Sequence, residues 1–460
     1  MTTKDYFADI VQRRGLASVY HFENEEKLFP TVHNAFRFIL LTLGDAPRAD
    51  LVFFARQVTA LAVKERHVSL TAADFALLNP NTRTCPTFRS RRDADLNLAM
   101  YARAGVLDNE SVEQAAHAET GWNVEVCTKL FDMADDSALF RSQNEIPADH
   151  EYVPLFEAKM AWHFDHRFAT YEGATQANRN KGTLPQLTDA QHADAWYRAT
   201  PEYWVISSEV EERLRGRWSR GWLLGWRDIT GTEKQRTLIA SLIPRVAVGH
   251  TMRLIFVNMS APFVAALYAN LCSFPLDYAA RQKVGGTHLT WGAMRQLPVL
   301  SPAIYKGNIE WDRGVPMLDW LIPRIVELTY SAWDLEHFAR DIGYDGPPFR
   351  WDPERRFLLR CELDAAFFHL YGLSRDDTAY VLDTFPIVRK NDEKVHGEYR
   401  TKRLILEIYD AMAEAARSGR PYETRLDPPP ADPRVAHPAD PSATSSPRRE
   451  GRSTPAERTP

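Results

Sequence analysis

Cysteine is scarce in this 460-residue chain. Cys85, Cys127, Cys272 and Cys361 are scattered, with no CxxC pair among them. That argues against a zinc site and makes reduced thiols the expectation. Long apolar runs are missing as well. No stretch reaches the about 18 consecutive apolar residues of a membrane-crossing helix, so no membrane partner is expected. The start, Met1-Thr-Thr-Lys-Asp5, lacks the basic and apolar regions of a secretory signal, which gives a cytoplasmic expectation. A positive surplus is absent too: 56 basic residues face 61 acidic ones, for a net charge of −5. This balance does not advertise nucleic-acid binding, although local basic patches decide such binding more than the sum does.

What is present is apolar and aromatic. Apolar side chains make up 44% of the chain, with 12 Trp, 17 Tyr and 23 Phe, enough to build two or three domains with cores of their own. The spacing of Phe7, Ile10 and Val11 predicts a helix over 4–14. A short strand over 16–22 follows. The near-continuous run Phe36-Arg-Phe-Ile-Leu-Leu-Thr-Leu43 predicts a strand buried on both faces, as in a mostly parallel sheet. One helix and two strands make no core, so this segment reads as the edge of a larger sheet whose other strands are missing. Residues 46–75 lead onward to the turn Asn79-Pro-Asn-Thr82, and a helix is expected over 90–104.

Residues 120–300 read as mixed, with strands at Trp222-Leu-Leu-Gly-Trp-Arg227 and Arg253-Leu-Ile-Phe-Val-Asn258 and a helix over 276–282. Trp218, Trp222 and Trp226 recur every four residues, a stripe that reads as core rather than as a base-stacking platform. From 303 helices dominate. Asp352-Pro353-Glu354 is a capping residue followed by proline, and Ser374 opens another helix with Asp376 and Asp377 in its first turn. Leu404, Ile405, Ile408, Tyr409 and Met412 stripe the last helix. After Pro421 the chain is rich in Pro, Ser, Arg and Asp and reads as disordered.

Several strings in order carry a resemblance. They are Tyr20-His-Phe-Glu-Asn24 with Lys27-Leu-Phe-Pro30, the 36–43 run, and Leu78-Asn-Pro-Asn-Thr-Arg-Thr-Cys-Pro86 with Phe88-Arg-Ser-Arg-Arg-Asp93. Val153-Pro-Leu-Phe-Glu-Ala-Lys-Met160 with Phe164-Asp-His-Arg167 follows, then Arg227-Asp-Ile229 and Arg236-Thr237. Arg281-Gln-Lys-Val-Gly-Gly-Thr-His-Leu289 with Gln296-Leu-Pro298, Leu370-Tyr-Gly-Leu-Ser-Arg375 and Tyr399-Arg-Thr-Lys402 complete the series. Across 4–415 this order resembles the C-terminal half of adenine-specific DNA methyltransferases of type II restriction–modification and phage-defence systems, the group with a TaqI-like recognition domain. The resemblance implies an α+β fold in four parts. Residues 1–75 are the remnant of an α/β methyltransferase sheet with a linker, and 76–300 are a mixed α/β target-recognition domain. Residues 301–420 are a helical C-terminal domain, and 421–460 are a disordered tail.

The family's catalytic half carries a glycine-rich S-adenosylmethionine loop and an Asn-Pro-Pro-aromatic loop for the flipped adenine. Neither is present here. Asn79-Pro80-Asn81-Thr82 lacks the second proline and the aromatic that would stack on an extruded base, so Asn79 is given no catalytic role. The expectation is a split enzyme, with a separate chain supplying the catalytic half, or a truncated gene product. S-adenosylmethionine would serve the complete enzyme, none is expected to bind this chain alone, and the partner is double-stranded DNA.

The 281–288 string is the leading recognition element. Gly285 and Gly286 permit close backbone approach, Arg281 and Lys283 suit phosphates, and Thr287 and His288 suit base edges or phosphate oxygens. The alternative is a tight turn capping the preceding helix. Arg83, Arg89, Arg91 and Arg92 form a basic cluster for the DNA backbone, or a solvated face paired to Asp93 or Asp95. Glu157-Ala-Lys159 spells half of a Mg²⁺ nuclease signature, with Asp149 upstream as a partner acid. Without a Pro-Asp before it, it reads rather as a recognition-domain strand with Lys159 touching DNA or a local carboxylate. His163 and His166 read as structural rather than metal-binding. Rival functions are a standalone DNA-binding specificity subunit, a type II restriction endonuclease component, and a protein-interaction module using the C-terminal helices.

Overall fold

Phe7, Ile10 and Val11 share one face of the first helix, Thr3–Gln12, in a computed structural model that describes residues 3–110 and 121–438. That face closes over a four-stranded sheet of β1 (Leu16–Glu23), β2 (Arg37–Leu43), β3 (Ala49–Ala55) and β4 (Val68–Leu70). The strand order is β2-β1-β3-β4. β1 runs parallel to β3, and the two outer pairings are antiparallel. Helices Ala72–Leu78 and Arg91–Ala104 complete this layer, giving a first core from Val11 to Tyr101. Ser90 caps the second of these by accepting from Asp93 N, at the start of the helix expected over 90–104.

β2 departs from expectation. Its apolar run was predicted to be buried on both faces, yet it is an edge strand with six of its seven residues exposed. Ile39 is 53% exposed, Leu40 52%, Leu41 45% and Leu43 50%. Successive side chains point to opposite faces of a strand, so both faces of β2 are bare. Phe38 alone finds cover, stacked on Phe22 with ring centroids 5.1 Å apart.

Two further sheets follow. β5 (Val124–Cys127), β8 (Trp222–Arg227), β9 (Ala240–Pro244) and β11 (Met252–Val257) form an antiparallel sheet in the order β5-β11-β8-β9. β6 (Tyr152–Phe156), β7 (Trp204–Ile206) and β10 (Ala247–Val248) form a smaller mixed one. Gly225 makes the central pairing possible, because a Cβ there would stand 2.8 Å from the Arg253 carbonyl oxygen. Trp218, Trp222 and Trp226 are all buried, as the stripe predicts. Helix Ala261–Leu271 is apolar nearly all round and runs through the interior.

The second core extends without a break from Leu96 to Ala436, across residue 300 and into helices Met317–Thr329, Pro353–Leu370, Arg375–Asp383 and Arg400–Ser418. Asp352 caps its helix with hydrogen bonds from Glu354 N and Arg355 N, and Ser374 accepts from Asp377 N. The expectation that everything after 421 is disordered is corrected for residues 421–438; residues 439–460 lie outside the described residues. Tyr422 donates to Glu362 at 2.8 Å, Ala431 N donates to Glu327 at 2.7 Å, and Arg355 donates to the carbonyls of Pro428 and Pro429 at 2.6 and 3.0 Å. Composition misses this because the segment is held mostly through its backbone and two buried side chains, Leu426 and Ala436. No helix among the described residues is long and apolar enough to cross a membrane.

Candidate nucleic-acid interface

Helix Phe274–Lys283 sets the base of the leading recognition element. It ends at Val284, whose extended backbone releases the chain toward Gly285 and Gly286. The return is pinned: Thr230 N donates to Thr287 O at 3.0 Å and Leu289 N to Asp228 O at 2.8 Å. His288 Nδ1 lies 2.8 Å from Asp228, whose other oxygen accepts from Arg253 at 2.8 Å. Those two partners, working against burial, hold the Asp228 carboxyl below its ordinary value.

Neither glycine is demanded by conformation, since neither lies in the left-handed region. Neither is demanded by internal packing, since a Cβ at either position would meet nothing within 4 Å. Their backbone is exposed toward a cleft of about 580 Å³ between the N-terminal sheet and the loop. His21 and Arg37 of that sheet, Arg89, and Tyr380 of the helical region line the same cleft.

The predicted cations divide into two kinds. Arg89 is exposed over the Phe54 ring, 4.7 Å from its centroid, and pairs with no carboxylate among the described residues. Arg91 is exposed and likewise has no hydrogen-bond or ion-pair partner among the described residues. The others are committed. Arg92 bonds Asp377 at 2.9 Å, also pairs with Asp376, and lies over Tyr380. Asp93, expected as an arginine partner, instead accepts from Tyr278 and Tyr380 at 2.6 and 3.0 Å. Arg83 reaches Gln12 at 3.3 Å, away from the cleft. Lys159 pairs with Glu157 at 3.2 Å, also outside the cleft.

Two members of the 281–288 string correct the phosphate-contact expectation. Arg281 donates to the carbonyls of Thr384, Lys234 and Gln235 at 2.8, 2.8 and 3.1 Å, and stacks over Phe385. Lys283 turns inward, donating to Leu78 O at 2.6 Å and to the Asn79 side chain, over the Tyr101 ring. With no carboxylate beside it, burial brings its ammonium down to about 7. Both side chains are held by segments distant in sequence, a direction the string alone does not reveal. Asn79 serves this latch and its own loop, donating to Thr84 O at 2.7 Å.

Arg37 and His21 were missed. Arg37 sits 3.6 Å from Glu23 with half its side chain exposed, and its position at the start of an apolar strand was the available signal. His21 accepts from Phe54 N, and burial, then Arg37, keeps its imidazole below its usual value. Elsewhere, Glu157 is held by Tyr171 and Lys159, and no cluster of metal-holding side chains exists among the described residues. His163 faces Leu238 O at 2.8 Å and His166 faces Asp334 at 2.8 Å, so the two imidazoles serve separate partners. No family model matches this chain, and no curated protein matches it.

Proposed function

We propose that this chain is the DNA-recognising part of an adenine-specific DNA methyltransferase, completed by a catalytic half that lies outside these residues and packs on β2. One observation carries the reading. The cleft has the open-edged sheet as one wall and the bare Gly285–Gly286 backbone as the other. A catalytic layer laid against β2 would cover its exposed Ile39, Leu40 and Leu41 and would sit beside that backbone and the unpaired Arg89. Duplex DNA laid across the mouth of the cleft would meet cations for its phosphates and a close-approach strip for a groove.

The complete enzyme would use S-adenosylmethionine as methyl donor. The donor loop and the adenine-binding loop belong to the catalytic half, so these residues bind, orient and clamp the duplex. Unpairing the target base costs a few kcal/mol, which such contacts offset.

The test supplies a chain carrying both missing loops and measures methyl transfer to duplex DNA and binding of S-adenosylmethionine, with and without this protein. Transfer only in the mixture, lost when Ile39 and Leu41 are both changed to Asp, is the expected result. Methyl transfer by this chain alone, or no duplex binding in either form, overturns the proposal.

A further inference from the structure

Two adjoining cavities, of about 170 and 580 Å³, lie away from the cleft and share Trp162, His163, Gln235 and Arg360 in their walls. The smaller is otherwise lined largely by apolar and aromatic side chains, among them Phe274, Phe357 and Phe367. Its volume is close to that of a cavity known to take one benzene ring, about 150 Å³.

Arg360 is unlike its neighbours on helix Pro353–Leu370. Arg355 pairs with Glu327, and Arg356 donates to the carbonyls of Leu328 and Phe164 at 2.7 and 2.8 Å. Arg360 makes no hydrogen bond and no ion pair among the described residues, although it is partly buried. Three of the acids in the walls are engaged, Asp392 by Thr401 N at 2.6 Å, Asp364 by Phe274 N at 2.8 Å and Asp165 by His192 at 3.2 Å, and the fourth, Asp189, is exposed on the larger chamber. Gln235, on the rim, has a side-chain amide with no partner among the described residues. Withdrawing a guanidinium from bulk water without an anion or acceptor is unfavourable, and none of its five donors is met by a protein acceptor among the described residues. Burial accordingly presses the Arg360 guanidinium below its ordinary range.

We infer that the joined cavities bind a small organic oxyanion, its carboxylate or phosphate group held by Arg360 and Gln235 and its planar apolar part seated in the smaller chamber against Trp162 and Phe274. The cation supplies the demand for an oxyanion, and the aromatic walls exceed what a bare inorganic ion would fill. The inference stands apart from the DNA reading, since no cleft residue takes part.

Benzoate and phenyl phosphate present the same ring with different anionic groups. Each is titrated calorimetrically into the full chain, with phenol as the neutral control. Saturable binding of either, at least about tenfold weaker in Arg360→Gln and at least about tenfold weaker for phenol, is the expected outcome; tenfold corresponds to ~1.4 kcal/mol. The ligand that binds identifies the group as carboxylate or phosphate. Because Arg360 has no partner to lose, Arg360→Gln should unfold at the wild-type temperature or above. Failure of both anions to bind, equal binding by Arg360→Gln or by phenol, or a marked fall in Tm for that variant overturns the inference.

Discussion

Lys283 is turned inward where a phosphate does not reach, whereas Arg89 and Arg91 hold their charges in the open. Each neutralised phosphate contributes nearly one unit to the salt slope of DNA binding. Arg89→Ala and Arg91→Ala should therefore each lower that slope by about one, while Lys283→Ala leaves it unchanged and lowers Tm. Affinity for a duplex at several salt concentrations decides this; a lowered slope for Lys283→Ala would put its ammonium on DNA. Lys283 also loses its proton more readily folded than unfolded, so it favours stability as pH rises from about 7 toward the ordinary lysine range. Asp364 acts in the opposite direction. Burial raises its carboxyl to about 6, so the folded chain holds that proton more tightly, and stability falls as pH climbs from the ordinary carboxyl value through about 6. Asp364→Asn keeps an oxygen for Phe274 N and should be more stable than wild type above pH 6, by up to about 3 kcal/mol, with the gain vanishing near pH 4. Chemical denaturation across that range would refute this if the gain were independent of pH.

β2 shows where an element is legible and where its surroundings are not. The run from Phe36 to Leu43 is enough to predict a strand, because β-branched and large apolar residues suit a pleated surface. It is equally enough to predict burial, and that failed, because β2 lies at the edge of its sheet and none of the described residues covers Ile39 and Leu41. Helix starts were easier. Ser90, Asp352 and Ser374 each make the capping hydrogen bond their positions imply, since a cap is decided within four residues. Side-chain aim was not legible: Arg281, Arg92 and Lys283 read as surface cations, and partners about 100 to 285 residues away in sequence turn them inward or sideways. A bare edge also makes its own prediction. Leu41→Thr should leave the free energy of unfolding within about 0.5 kcal/mol of wild type, as for other exposed positions, while reducing self-association in light scattering, because exposed apolar edges template pairing between chains. A large drop in Tm would mean that Leu41 is packed.

Across the whole molecule, the expected division at residue 300 has no counterpart in the packing, because one core spans it. Periodicity shows which helices exist but not that Ala261–Leu271 packs against Met317–Thr329, a contact between segments far apart in sequence. The C-terminal segment repeats the lesson. Its poverty in large apolar residues was correctly read, yet Glu327 and Glu362, buried in ion pairs with Arg355 and Arg324, also draw donors from it. Ending the chain at residue 420 should lower stability by about 2–5 kcal/mol, since buried charges left short of partners are expensive. Urea unfolding of the shortened chain measures it, and an unchanged midpoint would make residues 421–438 a passive wrapping.

The stretch carrying Gly285 and Gly286 hangs between two fixed points, the Lys283 latch on Leu78 and the His288 anchor on Asp228. Ordering a residue's backbone costs about 1–2 kcal/mol of conformational entropy. A free loop gives that up when it meets a ligand; here most of it has been given up on folding. The span acts as a short bridge on set abutments. A side chain added at either glycine should then alter the enthalpy of an encounter through what it touches, and leave the entropy of arranging the loop nearly as it was.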